Sequence, residues 1–229
     1  GAVATKTYVD DVFSTYVYAG TGSSHTINNG IDLSASGGGM VWIKDRDNAV
    51  SHNLYDTERG TTKFLISDGN DAEDNSATRL NLFNNNGFRL GGNSTVNGSG
   101  IDYTSWTFRK APGFFDVVKY TGDGSGSRQI SHNLKSIPGC LIVKRLSGTG
   151  GWVVYHHKVG NYPHLFGALY LDSTSAKSNT APWASTAPTS THFSVNNHVE
   201  VNADGDDYIC YLFAGGESTN ALARSVDFD

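Results

Sequence analysis

The chain is short of charge. Lys, Arg, Asp and Glu make up 17% of its 229 residues, against about 25% in an ordinary soluble domain. The net charge is −5, and an acidic chain with scattered Lys and Arg makes a poor nucleic-acid binder. Proline is scarce at five residues, methionine at one and cysteine at two. No apolar run approaches the roughly 20 residues of a membrane-spanning helix. No signal peptide is visible, and from the opening Gly-Ala-Val without Met the expectation is a fragment, a processed product or the ordered part of something longer. The glycines keep no three-residue period, which excludes collagen. Cys140 and Cys210 form no Cys-x-x-Cys and no zinc spacing. Both lie in apolar runs and read as buried thiols in strands, although sequence cannot test whether they pair. Glutamate occurs only as Glu58, Glu73, Glu200 and Glu217.

What is abundant is equally telling. There are 27 Gly, 11 Tyr, 11 Phe and 4 Trp, a composition that favours β-structure with many turns. The aromatics with Val and Ile exclude wholesale disorder. The length suits one large domain or two small ones.

The chain repeats itself. Tyr18-Ala-Gly-Thr-Gly22 matches Tyr120-Thr-Gly-Asp-Gly124, and Met40-Val-Trp-Ile-Lys44 matches Cys140-Leu-Ile-Val-Lys144. Tyr55 then meets Tyr155, Gly60 meets Gly160, and Phe88 meets Phe193. Val96-Asn97 meets Val201-Asn202, Gly100 meets Gly205, Asp102-Tyr103 meets Asp207-Tyr208, and Phe108 meets Phe213. The ordered matches predict two copies of one unit, 15–113 and 116–215, with Pro112-Gly113 at the junction. Within the second copy, strands are expected at Phe114–Tyr120, Cys140–Lys144, Trp152–Tyr155 and Tyr208–Phe213. The last sets Tyr, Cys and Leu against Ile, Tyr and Phe. Leu165–Leu171 is a further apolar run, and His198–Val201 carries short alternation. Short strands with Gly-rich turns argue for an all-β chain of tandem β-sandwich or jelly-roll domains. Ala4–Phe13 is the one expected helix, with Tyr8, Val9, Val12 and Phe13 on one face. It is too short to stand alone, so this face is expected to pack on the first sandwich or on neighbouring copies of the chain. The tail, 216–229, is polar and expected to be loose or docked on a partner.

Val41-Trp-Ile-Lys-Asp-Arg46, His52-Asn-Leu-Tyr-Asp-Thr-Glu-Arg-Gly60, Thr78-Arg-Leu80, Gly87-Phe-Arg-Leu90 and Asn97-Gly-Ser-Gly100 resemble a module of bacteriophage virion proteins, common in phages of marine bacteria and cyanobacteria. The second copy resembles its sister form through Ile130-Ser-His-Asn-Leu134, Pro138-Gly139, Ile142-Val-Lys-Arg145, Trp152-Val-Val-Tyr-His156 and Tyr208-Ile-Cys-Tyr-Leu-Phe-Ala214. These modules look like concanavalin-type β-sandwiches. Ala4–Asp11 looks like segments of tail-fibre shafts. The resemblance implies a structural part of a phage particle exterior: a tail fibre or appendage, trimeric like similar fibres, touching other virion proteins and holding host-surface glycan. It implies no enzyme and no cofactor. A capsid or tail decoration protein without a ligand is the alternative, and a polysaccharide-cleaving tailspike a more distant one. The first copy departs by carrying Trp106-Thr-Phe-Arg109 where the second has Tyr211-Leu-Phe-Ala214, so the two copies are expected to use that strand end differently.

Catalytic signals are weak. Glycosidases need two carboxylates at about 5 or 6.5–9.5 Å, and the Glu-x-Asp-x-x-Glu strand of concanavalin-type hydrolases is missing. Asp102 and Asp207 are repeated but follow glycines in turns, where Asp favours the turn itself. No Gly-x-Ser-x-Gly elbow occurs. His156 and His157 would point to opposite faces of a strand, which argues against a metal pair. Ser67–Asp71 with Glu73 and Asp74 is oxygen-rich but lacks EF-hand spacing, and reads as a solvated loop. Glycan contact is the stronger reading, because sugars stack on exposed rings. Of Trp42, Tyr55, Trp152, Tyr155, Tyr162 and Trp183, Trp152 and Tyr155 belong to apolar repeats. Trp183 and Tyr162 lie in loop-like sequence and are the expected exposed contacts, with His156 and His164 beside them.

Overall fold

Apolar–polar alternation broken every few residues by Gly, Asn and Asp folds here as antiparallel strands. The computed structural model describes residues 7–35, 37–159, 167–179, 181–216 and 226–227. In chain order the elements of the first half are β1 (Thr7–Tyr8), α1 (Val9–Val12), β2 (Phe13–Ala19), β3 (His25–Asn28), β4 (Gly39–Asp45), β5 (Asn53–Asp56), β6 (Lys63–Ile66), β7 (Asp74–Asn75), β8 (Leu80–Asn84), β9 (Gly87–Leu90), α2 (Ser94–Asn97) and β10 (Asp102–Arg109). The second half adds β11 (Phe115–Thr121), β12 (Arg128–Ser131), β13 (Pro138–Arg145), β14 (Val153–His156), β15 (Leu169–Tyr170), β16 (His192–Val195), α3 (Val199–Asn202), β17 (Asp207–Ala214) and β18 (Val226–Asp227).

The chain is all-β, with several antiparallel sheets. A six-stranded sheet runs β2-β10-β4-β5-β6-β7 and a five-stranded sheet β11-β17-β13-β14-β15. Each is faced by a smaller one, β3-β9-β8 in the first half and β12-β16 in the second. The order is the same in both halves: the last long strand inserts between the first and the third. The residues that repeat in sequence take the same positions. Tyr18 stacks on Tyr103 and Tyr120 on Tyr208, each at 5.3 Å between ring centres. The Tyr18 hydroxyl donates to Val96 O and the Tyr120 hydroxyl to Val201 O, both at 2.8 Å. Asn97 accepts from Thr21 N and donates to Ser23 O, while Asn202 accepts from Asp123 N and donates to Ser125 O. Gly100 and Gly205 hold φ of 75° and 77° at the turn before β10 and β17, a conformation that favours glycine.

Three apolar cores follow from this layout. One lies between the six- and three-stranded sheets, around Val41, Ile43, Tyr55, Phe88 and Tyr103. A second lies between the five- and two-stranded sheets, around Leu141, Tyr155, Trp183, Phe193, Tyr208 and Cys210. The third joins the halves, because the outer faces of the two large sheets share Met40, Leu54, Leu65, Phe115, Val117, Ile209 and Tyr211. β17 therefore has a core on each side: Tyr208, Cys210 and Leu212 face one, and Ile209, Tyr211 and Phe213 the other. Phe108 and its sequence match Phe213 meet across the joint at 5.5 Å, edge to face.

Several expectations are corrected. The helix is only the single turn Val9–Val12. Phe13 instead opens β2, whose aromatic and β-branched residues pair along the whole length of β10. Val12 is fully buried and Phe13 packs on Phe108 at 4.9 Å, so half of the expected oligomer face is used within the chain. Tyr8 is 44% exposed and Val9 partly so. His198–Val201 is not a strand: His198 caps α3, accepting from Glu200 N, just as Asn93 caps α2. In the tail, β18 pairs in parallel with β1. Cys140 and Cys210 are free thiols, the second fully buried.

Candidate functional site

The joint is the most constructed polar feature of the chain. Asp56 ends β5, and the tight turn after it brings Arg59 back, its amide donating to Asp56 Oδ1 at 2.9 Å. The Arg59 guanidinium reaches Asp56 Oδ2 at 2.5 Å, Glu73 Oε2 at 3.4 Å and Leu54 O at 3.1 Å. From the other half, the Tyr211 hydroxyl donates to Asp56 Oδ2 at 2.7 Å. The Asp56 and Arg59 side chains are completely buried. Burial works against the Arg59 charge, but Asp56, Tyr211 and Glu73 outweigh it and hold the proton more firmly than usual. Burial pushes the Tyr211 hydroxyl well above its ordinary range, and Asp56 pushes it further.

A second contact lies beside the first. The loop from Ile66 to Glu73, expected to be solvated, is docked on the second half. Trp152 Nε1 donates to Ile66 O and Gly69 O at 2.9 and 3.0 Å. Gly150 N donates to Asn70 O, and Glu73 N to Leu146 O. Lys144 Nζ, fully buried, donates to Asn70 O and Arg145 O. Burial lowers the Lys144 pKa to about 8, with Asp172, Asp71 and Glu200 opposing only part of the shift. The loop's carbonyl oxygens are thus taken up by N–H donors of the second half.

The expected glycan contacts are not brought together. Trp183 is 4% exposed and lies against Tyr155 at 5.8 Å. The expected exposure is corrected: the isolated bridge from Trp183 to Val195 turns its ring into the second-half core. The cavity beside it measures about 10 Å³, room for about one water and not for a sugar ring. His156 ends β14, partly buried, with its Nδ1 accepting from Lys158 N. Tyr162 and His164 lie outside the described residues. Among the described residues no group of three His, Cys, Asp or Glu is placed to hold a metal.

Two surface features went unread in the sequence. One is a cleft of about 370 Å³ walled by Leu33, Gly38, Thr57, Thr61, Leu82 and Phe83. Its carboxylate, Glu58, is held by Lys110 at 2.6 Å. The other is the Trp42–Trp106 pair on the outer face of the six-stranded sheet, with ring centres 6.4 Å apart and nearly perpendicular. The signal for it was the departure of Trp106 from its counterpart Tyr211.

Over residues 9–219 the chain matches the family described as a domain of unknown function (DUF7483), and it belongs to that family. No curated protein and no solved structure matches it.

Proposed function

We propose that this member of the DUF7483 family is a structural component of a bacteriophage particle, carried on its exterior as part of a tail fibre or appendage. In this reading the chain is two tandem copies of one concanavalin-like β-sandwich, 15–113 and 116–215. An attachment segment, 1–14, precedes them and a tail, 216–229, follows. The phage module resemblance supports the assignment, and the matching strand order and hydrogen bonds of the halves support the duplication. The observation that carries it is the joint. Two units linked only by a short connection would swing. Here a shared apolar core and the buried Asp56–Arg59–Tyr211 cluster turn them into one stiff piece, as a part bearing mechanical load requires.

The burial of Trp183 favours a second reading, a capsid or tail decoration protein without a ligand, since the ring expected to meet host glycan is a core residue. A polysaccharide-cleaving tailspike finds less support. Asp56 and Glu73 do share Arg59, but Asp56 is closed off in the joint and neither is free to act as acid or base. Partners in either case are other virion proteins and further copies of the chain, a trimer being the expected assembly, with Tyr8 and Val9 the remaining contacts on the N-terminal face. The test is cryo-electron microscopy of intact particles, with this chain placed in the map. Density at the tail periphery supports the appendage. Density flush against the head or tail shell favours decoration, and absence of the chain from purified particles by mass spectrometry refutes both.

A further inference from the structure

The outer face of the six-stranded sheet is only partly covered. Toward β5 and β6, Met40, Leu54 and Leu65 enter the joint. Toward the edge strand β2 the same face continues through Trp42, Trp106 and Thr15, directly opposite one another in register on three adjacent strands. Two residues along, still on that face, Val17 pairs with Thr104. Val17 is 60% exposed, and Trp42 and Trp106 are partly exposed. Trp42 Nε1 donates to His52 Nδ1 at 2.9 Å, which fixes its ring. Among the described residues, Trp106 Nε1 and the Thr15 and Thr104 hydroxyls have no hydrogen-bond partner. The one cation of this row, Lys44, is committed to Asp45 O and Asn48 O.

We infer that this face is a binding platform for a neutral polysaccharide. The C–H face of a pyranose packs on a fixed indole, and its hydroxyls match the free Trp106 N–H and the two threonines. The acidic side chain on the same face, the exposed Asp102 two residues beyond Thr104, accepts from sugar hydroxyls and disfavours an anionic ligand. The five residues match the footprint of a few sugar rings, against the roughly 20–30 residues a side of a stable protein interface. The second half has no equivalent: Tyr211, the match of Trp106, is 1% exposed and held by Asp56 in the joint. The inference stands whether or not the chain belongs to a virion.

The experiment is affinity electrophoresis of the full chain through gels containing dextran, mannan or a β-glucan, with alginate as the anionic comparison. At least one neutral polysaccharide is expected to retard the chain, and Trp106→Ala to weaken that retardation about tenfold or more with an unchanged melting curve. Val17→Glu, which touches no core, provides a second variant should Trp106→Ala fold poorly, and is expected to weaken it similarly. Tyr16→Ala, on the opposite face of β2, is expected to leave it intact. Retardation by no neutral polysaccharide, retardation by alginate alone, or wild-type behaviour of both platform variants overturns the proposal. So does light scattering that shows a wild-type oligomer dissociated by Trp106→Ala, since a second copy would then cover the face.

Discussion

Arg59→Met is the sharpest test of the joint. The substitution keeps the apolar stem but removes every donor that the guanidinium gives to Asp56, Glu73 and Leu54 O. Asp56 is 0% exposed, so water cannot replace what is lost. Its carboxylate keeps the Tyr211 hydroxyl and the residue-59 amide, two neutral donors for a full charge. Removing one partner of a buried pair costs about 3–5 kcal/mol. In a chain of this length that lowers the melting temperature by roughly 10 °C. Replacing Asp56 by Leu and Tyr211 by Phe in the same chain is expected to restore part of the stability, because the buried charge is then gone and only neutral groups, the residue-59 amide and Leu54 O, have lost a partner. Scanning calorimetry of the three proteins measures all of this. A cost below about 1 kcal/mol for Arg59→Met would refute a joint closed to water and with it the stiff two-part body.

Three further perturbations probe other parts. Lys144, with its pKa lowered to about 8 in the fold against about 10.4 in an unfolded chain, binds its proton more weakly when folded. Stability is therefore expected to rise as pH increases from about 8 to about 10.4 and then level off, and Lys144→Met to remove that rise in urea titrations. Trp183→Ala is expected to cost about 3–5 kcal/mol, visible as a lower urea midpoint, whereas Trp183→Phe costs far less; a neutral Trp183→Ala would mean the ring is not in the core. Asn97→Ala and Asn202→Ala each strand a backbone amide and are expected to cost about 1–3 kcal/mol. Because the two lie in separate halves, their costs should add in the double variant to within about 0.5 kcal/mol, and strong coupling between them would contradict that separation.

The repeated residues were legible because each does the same job in its own half. Tyr18 and Tyr120, and Asn97 and Asn202, tie the first strand to the turn before the last one, and Gly100 and Gly205 shape that turn, so a match in sequence is a match in geometry. The N-terminal helix was misread because Tyr8, Val9, Val12 and Phe13 fit a helical period, while Phe13–Ala19 also fits a strand. The pairing partner β10, some 90 residues away, decided between them. Trp183 was misread for a similar reason. Ala181-Pro-Trp-Ala-Ser185 is Pro-broken and set among Ser, Thr and Asn, and the long-range packing on Tyr155 makes its ring a core residue. The polar part of the joint was illegible because Arg59, Trp152 and the loop from Ile66 to Glu73, which build it, do not repeat. The joint's one sequence signal was β17, apolar on both faces, which requires a second core.

That signal also explains where the halves differ. In both halves the face between the larger and the smaller sheet is built from the matched residues Tyr55 and Tyr155, Tyr103 and Tyr208, Phe88 and Phe193. The outer faces carry no such obligation, so they are where the halves can differ without unfolding. In the second half the outer face is mostly apolar and covered, with Lys119 exposed at its end. In the first half it had to supply both the surface that covers it and whatever remains. The remainder is not a solvated polar sheet: it holds Trp106 and Val17, large apolar groups beside an open edge. Water-facing positions on antiparallel sheets are ordinarily polar. Two apolar residues there, next to hydroxyls with no hydrogen-bond partner among the described residues, point to contact with a ligand rather than with solvent, which is why the unmatched Trp106, and not the buried Trp183, is the residue to change first.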